Sequence, residues 1–121
     1  MKPSEIILEG MITRLLEMCK QELELDELPT IALVNDRSIM EVGDGTSFGE
    51  FTNNGIKVIT ANRHPLDVCR TLCHELVHWK QMLEGQQMDG SDGSNTENQA
   101  NAIAGIILRK FGKAYPECFV I

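Results

Sequence analysis

The sequence predicts an α+β fold, with three helices packed on a small twisted mixed sheet of about three strands. Three observations predict it. Apolar residues recur at spacings of three and four in three long segments. Short runs of β-formers, broken by Pro, Gly and Asn, lie between the first and second of these. The length, 121 residues with 42% hydrophobic and 24% charged content, suits a single domain (residues 1–121) with one core of ordinary size.

Ser4 to about Glu24 reads as the first helix. Ile7, Leu8, Met11, Ile12, Leu15, Leu16, Cys19 and Leu23 form its stripe, with Pro3 and Ser4 as start residues. Pro29 breaks the chain. Thr30 to Val34 is a short apolar strand closed by Asn35-Asp36. Gly43-Asp44-Gly45 marks a loop. Thr46 to Thr52 is a second strand, in which Gly49 suggests a bulge. Asn53-Asn54-Gly55 reads as a hairpin turn, because Asn-Gly accepts positive φ. Ile56 to Thr60 is the third strand.

His64-Pro65 opens the second helix, since proline suits the first helical position. Leu66, Cys69, Leu72, Cys73, Leu76 and Leu83 give it a buried side, and Gly85 closes it as a C-cap. Gln86 to Thr96 is a polar loop. Its Asp89-Gly90-Ser91-Asp92-Gly93-Ser94 core lacks the order and terminal glutamate of a calcium loop. A third helix runs from Glu97, with Ala100, Ile103, Ala104, Ile107, Leu108 and Phe111 on one face.

The chemistry concentrates in His74-Glu75-Leu76-Val77-His78. Residues four apart on a helix project within about 40° of each other, so two neutral imidazoles can grip one ion there. Glu75 lies about 100° away, suited to reach a water on the ion rather than to join it as a ligand. H-E-x-x-H is the zinc-peptidase signature, with the glutamate as general base. A histidine pair on a helix surface is the plain alternative.

A catalytic zinc takes three protein ligands, and no histidine follows His78. Of the acidic residues downstream, Glu84 faces away, Asp89 and Asp92 fall in the loop, and Glu117 lies beyond Pro116. Glu97 precedes Ala100 by three and is in line with the buried face, where a carboxylate needs a cationic partner. It is the expected third ligand. The alternative is a capping box, Ser94-x-x-Glu97. Asn101, one turn on, suits a hydrogen bond to the far nitrogen of a ligating histidine. His64 reads as a helix cap, and Cys69 and Cys73 as packing residues rather than a rival thiolate site.

The net charge of −7, with no basic cluster longer than Arg109-Lys110, speaks against a nucleic-acid surface. No apolar run approaches the ~20 residues of a membrane helix. The N-terminal residues lack signal-peptide features, so the four cysteines are expected to be reduced thiols in a cytoplasmic protein.

His74-Glu75-x-x-His78 followed by Glu97-x-x-Ala100-Asn101-x-x-Ala104 resembles the gluzincin-type zinc metallopeptidases. The second half is most similar to the ImmA/IrrE-like metallopeptidases, whose third-ligand helix reads E-x-x-A-N-x-F-A. Thr71 to His78 also resembles the SprT-like and phage-type small peptidases. The likeness covers about Ile56 to Phe111 and departs at Ile103, where the family has an aromatic. It implies a minimal zincin-like fold with the metal between the second and third helices. It also implies His74, His78 and Glu97 as zinc ligands and Glu75 as base. It names no substrate.

The expected activity is therefore hydrolysis of peptide bonds in a peptide or protein substrate by a zinc-activated water, with Glu75 as general base. Tyr115, the only tyrosine, and His64 are the candidates to hold the oxyanion. The edge from Ser47 to Thr52 is the expected platform for a substrate strand. The alternative from another class is a catalytically silent, zinc-stabilised binding or regulatory module of the same fold, against which the intact Glu75 argues. A metal-free domain with Glu97 as a cap is the third reading.

Overall fold

A computed structural model describes residues 3–35, 41–42, 45–46, 49–52, 54–86 and 95–116. The elements run α1 (Pro3–Glu22), β1 (Ile31–Val34), β2 (Glu41–Val42), β3 (Gly45–Thr46), β4 (Gly49–Thr52), β5 (Gly55–Ile59), α2 (Pro65–Leu83) and α3 (Asn95–Ala114).

The helices follow the apolar periods. On α1, Met11, Ile12, Leu15 and Cys19 are buried. The helix stops at Glu22, where Leu25 N–H donates to the Lys20 carbonyl at 2.9 Å and Glu24 takes φ 52°. That is the left-handed closure which usually selects glycine, and a glutamate there costs roughly 1 kcal/mol. Burial of the following Leu25 offsets it. On α3, Ala100, Ala104, Ile107 and Phe111 are buried, as the spacing requires.

α2 is fixed at both ends by its own sequence. His64 is the N-cap, its Nδ1 accepting from Leu66 N–H at 3.1 Å, and Pro65 follows at the first helical position. Gly85, at φ 77°, closes the other end, with Gln86 N–H donating to the Gln81 carbonyl at 3.0 Å. Arg63 then sets the angle at which α2 leaves the sheet. Its guanidinium donates to the Ile59 carbonyl at 2.8 Å, the Asp67 carbonyl at 3.0 Å and Thr71 Oγ1 at 2.7 Å.

The sheet is mixed and three-stranded, in the order β1-β5-β4. β5 pairs parallel with β1 (Ile31 opposite Ile56) and antiparallel with β4 (Phe51 opposite Ile56). β2 and β3 form a separate antiparallel ladder. The segment expected as one strand, Thr46 to Thr52, is therefore divided between two sheets, and Ser47 and Phe48 lie outside the described residues. Glu41–Val42 is too short to carry a readable period. In the β4–β5 hairpin Thr52 pairs with Gly55. Asn54 is a turn position and Gly55 begins the strand, while Asn53 lies outside the described residues. Gly55 has φ 147°, and a Cβ there would stand 2.5 Å from the Thr30 carbonyl oxygen. Close approach of β1 is what demands the glycine.

α2 is the hub of the packing, touching α1, α3, β4 and β5. Its Val68, Cys69, Leu72, Cys73, Leu76 and Val77 join the faces of α1 and α3 and Ile56 and Val58 of β5 in one core. Leu83 departs from its expected burial and is 60% exposed. It lies at the end of the stripe, on an open cavity beside Leu25, Leu28 and Trp79, past the elements that cover the rest of α2. No described helix is long and apolar enough to cross a membrane.

Candidate metal centre

Beside the six core residues of α2, an edge of the helix faces α3 and β4 and carries His74, Glu75 and His78. α3 brings Glu97 to them from its first turn. Glu97 Oε1 lies 2.8 Å from His78 Nε2, and Glu97 Oε2 lies 3.1 Å from His74 Nε2. The two Nε2 atoms are 3.1 Å apart. Ligand atoms about 2.0–2.1 Å from a tetrahedral zinc are about 3.3 Å from each other. The three edges come close to this triangle. The donor set, two imidazoles and one carboxylate, also suits zinc. With side-chain exposures of 21% at His74 and 22% at Glu97, against 6% at His78, the cluster is reachable from solvent at His74 and Glu97.

The imidazoles are held from behind. His78 Nδ1 meets Gln81 Oε1 at 2.8 Å, and the Gln81 amide donates to the Thr96 carbonyl at 3.0 Å and to Gln99 Oε1 at 2.7 Å. The Phe51 ring of β4 stacks on His78, with centroids 5.6 Å apart. Asn101 hydrogen-bonds His74, as its place one turn after Glu97 suggests. Burial, then the neighbouring His78, holds the His74 imidazole below its ordinary value, with Glu97 and Asn101 pulling the other way. The neutral imidazole so favoured is the form that ligates.

Glu75 is 8% exposed. Burial pushes its carboxyl up to about 7; His78 lowers it, and the carboxylates of Glu97 and Glu50 add to the rise. A carboxyl near neutrality can accept and return a proton at working pH. It has this place because β4 comes unusually close. A Cβ on Gly49 would stand 2.5 Å from Thr71 Cγ2 and 3.0 Å from Glu75 Cγ. Gly49 is paired in register with Val58, so it makes room rather than a bulge.

His74, Glu75, His78 and Glu97 are thus brought together, and Asn101 joins them. The other candidates are elsewhere. Tyr115 packs on Phe111, with centroids 5.3 Å apart, and under the Arg14 guanidinium at 5.0 Å. That is the far end of α3 from Glu97, which excludes it as an oxyanion donor. His64 is committed as a cap. Cys69 and Cys73 are buried in the core, and the Cys73 thiol lies 3.6 Å from the Cys19 thiol. The hydrogen bond to Cys19 and burial push Cys73 well above its ordinary value, against a thiolate site. Ser94, the partner in the capping-box alternative, lies outside the described residues, as do Asp89, Asp92, Glu117 and Cys118.

Gln81, Phe51 and the clearance at Gly49 were not foreseen. Gln81 did leave a signal: a polar residue three after His78, on the same side of the helix. Compared with models of protein families, with curated proteins and with solved structures, the chain matches none of them.

Proposed function

We propose that the chain is a zinc-dependent metallopeptidase of gluzincin type with a minimal zincin-like fold, acting on a peptide or protein substrate in the cytoplasm. The observation that carries this reading is the meeting of His74, His78 and Glu97 beside a buried carboxyl, Glu75, held near neutrality. A zinc ion held by those three side chains would supply Lewis-acid polarisation of the scissile carbonyl and of the attacking water.

The rest is work for this chain's residues. Gln81 and Asn101 fix the ring orientations of His78 and His74. Glu75 takes the proton of the attacking water and returns it to the leaving amine. Phe51 and the buried walls of α2 keep bulk water from the inner side. Among the described residues β4 pairs with no strand but β5, and it runs past Glu75 at Gly49 and past His78 at Phe51. A substrate strand added to that edge would pass the reacting groups.

The test is turnover of an unfolded protein substrate that is abolished by a chelator and restored by zinc. Glu75→Gln should bind zinc and lose turnover. Zinc uptake without any turnover in the wild-type protein would favour the silent binding module instead.

A further inference from the structure

The described cluster contains more buried polar chemistry than the three ligands and the base require. Gln81 is 1% exposed and belongs to neither set. Its environment fixes its amide without ambiguity. The Thr96 carbonyl oxygen can only accept a hydrogen bond, and it lies 3.0 Å from one end of the Gln81 amide. That end must be the nitrogen, whose second hydrogen goes to Gln99 Oε1 at 2.7 Å. The oxygen therefore faces His78 Nδ1 at 2.8 Å. An amide oxygen cannot donate, so Nδ1 must carry the hydrogen.

We infer that Gln81 is a positioning residue of the metal centre, which keeps a hydrogen on His78 Nδ1 and ties the ring to the start of α3. Nε2 is then the nitrogen that faces His74 Nε2 at 3.1 Å and Glu97 Oε1 at 2.8 Å, so a bound ion must displace any proton that the carboxylate draws there. The same amide holds the backbone of Thr96, the residue just before Glu97. One side chain on α2 thereby sets two of the three ligand positions, one directly and one through the helix start. The functional meaning rests on the zinc reading above, but the hydrogen on Nδ1 follows from the amide geometry alone.

The experiment is nitrogen-15 NMR of His78 in the metal-free wild-type protein in mildly alkaline buffer, with zinc affinity by chelator competition for wild type, Gln81→Met and Gln81→Glu. The expected wild-type spectrum shows a hydrogen on Nδ1, whether or not Glu97 also holds one on Nε2. Gln81→Met, which can neither accept nor donate, should mix the tautomers and weaken zinc binding about 10–100-fold. Gln81→Glu keeps the acceptor, so it should keep the tautomer and lose less affinity. An Nε2–H tautomer in the wild type overturns the inference, whatever the variants do. So does Gln81→Met with wild-type affinity and tautomer, or an equal loss in both variants with the tautomer unchanged. A wild-type protein with a hydrogen on Nδ1 and no affinity for zinc supports the assignment of Gln81 and defeats the zinc reading instead.

Discussion

Gly49 lies against Glu75 so closely that a single added methyl group would stand 3.0 Å from Glu75 Cγ and 3.3 Å from its Oε1. The edge strand and the candidate base are therefore fitted to each other. Gly49→Ala must move Glu75, Thr71 or β4. A misplacement of about 1 Å at a reacting group can cost about 100-fold in rate. We expect kcat/KM to fall on that order while zinc affinity changes little, because the added methyl meets Thr71 and Glu75 and none of the three ligands. Adding Thr71→Ser removes the nearest obstacle, Cγ2 at 2.5 Å, and should restore part of the rate. Kinetics and chelator competition on the same preparations check this.

Glu75 links stability to pH. Its folded-state carboxyl is raised from 4.5 to about 7, so the folded protein holds this proton more tightly than the unfolded chain does. The contribution is full below about pH 4.5 and lost as pH rises through about 7. It amounts to on the order of 3 kcal/mol. In chelator, wild type should lose that much stability across this window relative to Glu75→Gln, which does not titrate. Denaturant melts of the two proteins at several pH values measure the difference.

Zinc should stabilise the folded chain. At a free concentration of about 100 times Kd the gain is about 2.7 kcal/mol, or roughly 10 °C in Tm for a chain of this length. His74→Ala and Glu97→Gln each remove a ligand and should abolish the rise. Thermal melts with and without zinc report it.

Tyr115→Phe should leave turnover within about twofold of wild type, because an oxyanion donor is worth several kcal/mol and Tyr115 is not placed to be one. A loss of about 100-fold or more would show that the C-terminal end of α3 reaches the reacting groups after all. Steady-state kinetics decide it.

The helical part of the fold was legible because long amphipathic stripes repeat often enough to be read. Of the α3 stripe, Ala100, Ala104, Ile107 and Phe111 are buried, and Ile103 and Leu108 pack half-buried beside them. The two histidines and Glu97 were legible for the same reason: spacing on a helix fixes direction. Shorter features were not. β2 and β3 are two residues each, too short for any period, and Leu83 outruns the elements that could cover it. Gly49 and Gly55 signal irregular backbone in sequence, but only the tertiary approach of Thr71, Glu75 and Thr30 shows what each glycine is for. Gln81 is a polar residue on a half-buried helix until Thr96 and Gln99 arrive from α3.

Whether His74, His78 and Glu97 hold zinc is read most directly from an anomalous-scattering map at the zinc absorption edge, from crystals of the protein grown with zinc. One strong peak is expected, bonded to His74 Nε2, His78 Nε2 and the Glu97 carboxylate. A peak on Cys69 and Cys73, or no peak between α2 and α3, would contradict it.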